Sequence, residues 1–164
     1  MRANGRYDSS YERLAAKVSV FVSPENIADS MAQFFGTVVL ACAIQNGDAH
    51  LKNFGILYDK PGVNVRLAPV YDMLSTTPYR PSDTLALHLD GSKKFPSRSQ
   101  LIQFGRQACG LTNKRVETVV AQVAHGVEQA CLEMEAYAGI HSEFQLSAKH
   151  LTKIFRKGIG LLAP

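Results

Sequence analysis

The densest set of reactive groups in this chain of 164 residues is the stretch Asn46-Gly47-Asp48-Ala49-His50-Leu51-Lys52-Asn53-Phe54. An aspartate followed five positions later by an asparagine is the spacing of a loop that transfers a phosphoryl group. That chemistry needs a carboxylate to orient a hydroxyl and accept its proton. It also needs a neutral oxygen close by as a ligand for magnesium. Asp48 and Asn53 are the right types, and Lys52 offers a cation to neutralise charge on the moving phosphoryl. Taken singly, these residues are ordinary. Asn46-Gly47 is a common turn pair because both tolerate positive φ.

One asparagine holds magnesium poorly, so a second acid is required. Leu67-Ala68-Pro69-Val70-Tyr71-Asp72 supplies it, with Asp72 nineteen residues beyond Asn53. The fixed φ of Pro69 stiffens the approach. If both residues serve one ion, their side-chain oxygens must fall within roughly 7 Å of each other, allowing for intervening water. Asp72 is equally placed to cap a helical turn starting at Met73, and the two roles are compatible.

These loops need elements to hold them. Residues 1–8 lack periodicity and read as a loop or frayed end. Ser9 or Ser10 is a cap for a first helix through Leu14, Ala15 and Val18. Ser23-Pro24-Glu25 reads as a helix start, followed by Ile27, Met31, Phe34, Phe35, Val38 and Cys42 at helical spacing. That helix is expected to run to about Gln45 and stop at Asn46-Gly47. Phe54–Tyr58 and Val63–Leu67, joined by Asp59-Lys60-Pro61-Gly62, predict a β-hairpin. The prolines at 69, 78 and 81 make Ala68–Asp83 irregular, and Thr84–Leu89 is a short extended piece. Ser97 with Gln100 forms a capping box for a helix ended by Gly110. Thr112 caps a longer helix burying Val116, Val119, Val120, Val123, Val127 and Met134, closed by Gly139. Leu151, Ile154 and Phe155 mark a last short helix ending at Gly158. The expected fold class is α+β, mainly α-helical, with a small central β-hairpin.

The two motifs together closely resemble the paired signature of HipA-like toxin kinases. Leu85-Ala86-Leu87-His88-Leu89-Asp90-Gly91-Ser92-Lys93 looks like the family's strand and glycine turn, and Phe104-Gly105 and Gly110-Leu111 are similar to its helical tail. The resemblance covers roughly residues 9–135. It implies a protein-kinase-like C-terminal lobe of a serine/threonine kinase that uses ATP and Mg2+, the toxin of a toxin–antitoxin pair. Asp48 and Lys52 are then the catalytic residues, with Asp48 as base. Asn53 and Asp72 hold the metal, and His50 joins them at the cofactor site, buttressing the loop. The implied partners are a protein substrate, an aminoacyl-tRNA synthetase among the family's targets, and an antitoxin through which nucleic acid is reached indirectly. Residues 1–164 are expected to form a single domain without the family's N-terminal lobe, because no G-x-G-x-x-G loop or strand-borne lysine precedes the first motif. Phosphate transfer is then expected only when that lobe is supplied. The alternative is a non-catalytic lobe that docks an antitoxin or another protein.

Composition narrows the rest. Hydrophobic residues make up 46% and charged residues 20%, as in a globular protein. The net charge of +4 suits anionic ligands, but the basic residues are scattered rather than gathered into a nucleic-acid surface. Arg2, Arg6, Asp8, Glu12, Arg13 and Lys17 interrupt any apolar leader, and no run is long enough for a membrane span. A cytoplasmic location is expected. Cys42, Cys109 and Cys131 lack zinc spacing and sit among apolar residues, as core thiols do.

Overall fold

Three of the five α-helices in the described residues start at a local side-chain cap. The computed structural model describes residues 5–163, so part of the segment read as a frayed end lies outside it. Within the described part, Gly5–Tyr7 form a 3-10 turn rather than a loop. The Ser10 hydroxyl accepts the Arg13 N–H (3.2 Å) and starts α1, Tyr11–Phe21.

The second helix departs from the sequence reading at both ends. Pro24–Asn26 form a 3-10 turn that leads into α2, Ile27–Ala43. Ser23 does not cap it; its hydroxyl accepts the Val65 N–H at 2.9 Å instead, tying the helix entry to the hairpin. The helix stops before Gln45 because that residue turns to a φ of 54°. The hairpin is present but short: β1 (Ile56–Leu57) pairs antiparallel with β2 (Arg66–Leu67), Ile56 opposite Leu67. An isolated bridge, Lys60 to Val63, continues the same register nearer the turn. Between them Asn64 takes a φ of 52°, which breaks the ladder where longer strands were expected.

Thr84–Leu89 forms no regular strand. It is held by isolated bridges, Ser10 with His88 and Leu89 with Ser92. The capping box at Ser97 and Gln100 starts α3, Arg98–Gln107, and Gly110 follows its end with a φ of 66°. Thr112 accepts the Arg115 N–H and starts α4, Asn113–Ile140. That helix runs through Gly139 and ends only at His141, and Met134 is half-buried rather than buried. The last helix, α5, spans Gln145–Gly160 and is longer than its apolar residues suggest.

The core lies where α1, α2, α3 and the first half of α4 meet the 85–89 segment. Tyr11, Phe34, Phe35, Val38, Leu87 and Val116 are fully buried there. Phe34 is central, its ring 5.2 Å from Phe54 and 6.2 Å from Phe104. Full burial of such aromatic side chains contributes about 1.5–3 kcal/mol each. Against this core α4 packs on α2, and α5 on both. At Gly158 the approach of α5 to the end of α2 is so close that a Cβ would run into the Ala43 carbonyl. The three cysteines are free and buried, as expected of core thiols. Among the described residues no helix is long and apolar enough to cross a membrane.

Candidate active site

The first motif follows directly from the end of α2. Asn46 is completely buried, and its Oδ1 accepts the Asp48 N–H at 2.8 Å. Its Nδ2 lies 3.6 Å from Met73 Sδ, next in sequence to the second motif's Asp72. The Gly47 N–H donates to Thr76 Oγ1 at 2.8 Å, and the Thr76 N–H donates to the Gln45 carbonyl at 3.2 Å. The two loops are therefore strapped together by short polar contacts. Gly47 has to be glycine here, since a Cβ would collide with the Asp83 carboxylate and the Thr84 carbonyl.

Asp48 is half-buried, and its Oδ1 accepts a hydrogen bond from the Tyr7 hydroxyl at 2.7 Å. It opens onto a cleft of about 520 Å³ whose other walls include Arg80, Asp83, Leu85 and Lys93. His50 is buried, with its ring edge-on to Tyr7 at 5.3 Å. The His50 N–H donates both to the Asp48 carbonyl (2.8 Å) and to Asn53 Oδ1 (2.9 Å). Below the loop, the Tyr11 hydroxyl donates to the Ala49 carbonyl at 2.9 Å. Burial drives the Tyr11 phenol pKa well above its ordinary value, which keeps that donor protonated.

Asn53 joins the two motifs. Its Nδ2 donates to Asp72 Oδ2 at 2.6 Å, across nineteen residues of sequence. An N–H must face the amide oxygen and a carboxylate must face the amide nitrogen, so the His50 and Asp72 contacts fix the orientation of the amide. Asp72 takes a φ of 56°, a left-handed conformation that aspartate tolerates better than most residues. No helical turn follows it, so the capping role at Met73 is not used. The neighbouring Tyr71 hydroxyl donates to the Lys52 carbonyl at 2.5 Å. Lys52 itself is exposed, and its ammonium makes no ion pair among the described residues.

Asp72 and Asn53 suit magnesium in kind. Both offer hard oxygens, and each oxygen keeps a lone pair beyond its present hydrogen bond. Magnesium is commonly bound by one or two side-chain oxygens, with waters and phosphate oxygens completing the shell. Among the described residues there is no cluster of three or more His, Cys, Asp or Glu able to hold a metal. The pair therefore fits an ion that brings most of its own ligands.

Sequence reasoning named Asp48, His50, Lys52, Asn53 and Asp72, and the structure gathers them around two adjoining loops. It missed Tyr7, Tyr11 and Thr76. The first two precede or open α1 with no motif to mark them, and Thr76 lies in the proline-rich irregular segment.

Architecture and loops together define a mainly helical lobe with a two-stranded hairpin set between paired acidic motifs. The profile of the HipA-like C-terminal domain matches residues 1–131, and the chain belongs to that family. The same fold occurs in a chain of the Shewanella oneidensis MR-1 toxin–antitoxin complex of HipA, HipB and operator DNA. The TM-score is 0.63 at 17% identity, over 93% of this chain and 36% of that one. A Sinorhizobium fredii protein named "Putative kinase Y4dM" is 34% identical over 96 residues, which are 58% of this chain and 22% of that protein. A Haemophilus influenzae protein, also named a kinase in that form, is 34% identical over 70 residues, 43% of this chain and 20% of its own length. The matched stretches thus cover about a fifth of the length of each of these relatives.

Proposed function

We propose that this chain is the catalytic lobe of a HipA-type serine/threonine protein kinase that transfers phosphate from ATP to a protein hydroxyl. The observation that carries this reading is the Asn53–Asp72 hydrogen bond, which joins the two motifs one loop away from Asp48. Asp48 orients the substrate hydroxyl in the cleft and accepts its proton. Tyr7 and Asn46 hold Asp48 from its side chain and its backbone, so the carboxylate meets the hydroxyl already oriented. Asn53 and Asp72 would hold magnesium, which when bound neutralises phosphate charge. Lys52, exposed on the same loop, adds a cation for the transferring group. His50 packs the loop from below.

Family kinship extends the proposal to partners. The structural neighbour was solved with HipB and operator DNA, and an antitoxin that reaches nucleic acid on behalf of this protein is the corresponding partner. An aminoacyl-tRNA synthetase is the substrate class that the resemblance brings.

The test is transfer of labelled phosphate to a candidate synthetase by the chain combined with an ATP-gripping lobe. Asp48→Asn keeps the shape and removes the base, and is expected to lower the rate at least about 100-fold. Unchanged transfer in Asp48→Asn would remove Asp48 from the chemistry. A well-folded combination that binds the antitoxin but transfers nothing would favour a docking module.

A further inference from the structure

The net charge of this chain sits on one helix. Of 18 basic and 14 acidic residues, α5 carries Lys149, Lys153, Arg156 and Lys157 and no acid. The rest of the chain is therefore neutral, and the surplus of +4 belongs to α5. Along the sequence these cations read as scattered, but the helix lines them up. At 3.6 residues per turn, Leu146, Lys149, His150, Lys153 and Lys157 share a sector of about 100°, opposite the buried Ala148 and Thr152. All five are exposed. Lys149, Lys153 and Lys157 stand one turn apart, in a row about 12 Å long.

Nothing in the fold answers this row. Arg156, just off it, takes Glu128 at 3.0 Å and Glu135 at 2.5 Å from α4. The three ammonium groups make no ion pair among the described residues. Solvated faces normally intersperse the two signs, as α4 does with Lys114, Arg115, Glu117, Glu128, Glu133 and Glu135. Like charges four residues apart destabilise a helix, a repulsion that an external polyanion relieves.

We infer that α5 lies along the phosphate backbone of double-stranded DNA and binds it without reading its sequence. Lysine is a point charge with donors only, which suits phosphate oxygens. Duplex DNA presents one negative charge per about 1.7 Å of its axis, so a row of this length finds partners in any register. The row holds no Asn, Gln or Arg to read base edges and no Phe, Tyr or Trp to stack on unpaired bases. Its lysines offer no acceptor to the 2′-hydroxyl that marks RNA. A membrane surface fits less well, because Leu146 is the one apolar side chain in the sector and an interfacial helix needs an apolar face. The contact is direct and adds to any made through an antitoxin. It does not depend on the kinase reading.

Anisotropy of a labelled duplex of about 20 base pairs, titrated with the chain, tests it: Kd should be on the order of 10⁻⁴ M at about 20 mM salt. The logarithm of the binding constant should fall with that of salt at a slope of about −3, near one released counterion per lysine. Lys149→Gln/Lys153→Gln keeps the helix propensity. It should weaken binding at least about tenfold and bring the slope to about −1. Arg13→Gln/Lys17→Gln removes the same charge from exposed positions of α1 and should change Kd less than about twofold. Equal losses from the two pairs would show net charge alone at work and overturn the site, as would no binding at about 20 mM salt. So would tighter binding to an RNA duplex, to polyglutamate or to vesicles of phosphatidylserine and phosphatidylcholine than to the DNA.

Discussion

Two halves of this molecule are held by different forces. The scaffold of α1, α2, α3 and α4 is fixed by apolar burial around Phe34, Phe35, Val38 and Val116. The 45–77 region has two strands of two residues each and a 3-10 turn at Leu51–Asn53, and the rest of its backbone is turns and irregular loop. Its order comes from side chains that reach partners far along the sequence: Tyr11, Thr76 and Tyr71 reach backbone atoms of Ala49, Gly47 and Lys52, and Asn53 reaches the Asp72 carboxylate. Non-directional burial tolerates small adjustments of position, whereas a hydrogen bond does not. The residues proposed for catalysis sit on the half whose geometry is set by directional contacts. The difference predicts that scaffold changes alter stability most, while loop changes alter geometry with a smaller loss of stability.

The largest effect is expected from Phe34→Ala, which removes the ring between Phe54 and Phe104. Denaturant unfolding should show a loss of about 4 kcal/mol. Gly158→Ala should follow, at about 3 kcal/mol, because the new methyl meets the Ala43 backbone with no side chain able to yield. If it proves neutral, α5 does not brace the end of α2.

Asn46→Ala comes next, with an expected loss of about 2 kcal/mol from stranding the Asp48 N–H in a half-buried turn. Its amide exchange should quicken at Gly47 and Asp48 while that of α4 stays unchanged. Uniform loss of protection would mean that loop and scaffold unfold as one unit. Tyr7→Phe should be the mildest, at about 1 kcal/mol by denaturant unfolding.

Thiol chemistry gives a cheap check on the scaffold. Burial pushes the Cys42 and Cys109 thiols up to about 12, so at pH 8 only about one in ten thousand is thiolate. A disulfide reagent should find no fast-reacting thiol at these positions in the native chain, and react with them promptly after unfolding. Reactivity should rise with pH, since the raised pKa withholds the thiolate until the solution approaches it.

What could be read in the sequence divides along the same line. Helix caps at Ser10, Ser97 and Thr112 are local, three residues from donor to acceptor, and the sequence shows them. The Asp48–Asn53 spacing and Asp72 were legible as residue types that phosphoryl transfer needs. The Tyr7 contact was not, because it spans 41 residues and nothing beside Tyr7 marks it. Ser23 was misread for a related reason: its hydroxyl is taken by Val65, a partner that only the tertiary fold supplies. The early start of α5 was hidden because its buried positions there are Ala148 and Thr152, which leave no apolar rhythm.

The proposed function requires Asn53 and Asp72 to form one metal site beside Asp48, and manganese broadening of the NMR spectrum tests that most directly. Substoichiometric Mn2+ stands in for magnesium and marks the nuclei nearest to it, even when binding is weak. Broadening is expected to centre on residues 53 and 72, to reach Asp48, to be competed away by excess Mg2+, and to disappear in Asp72→Asn. Broadening centred elsewhere on the chain, or left unchanged by Asp72→Asn, would contradict it.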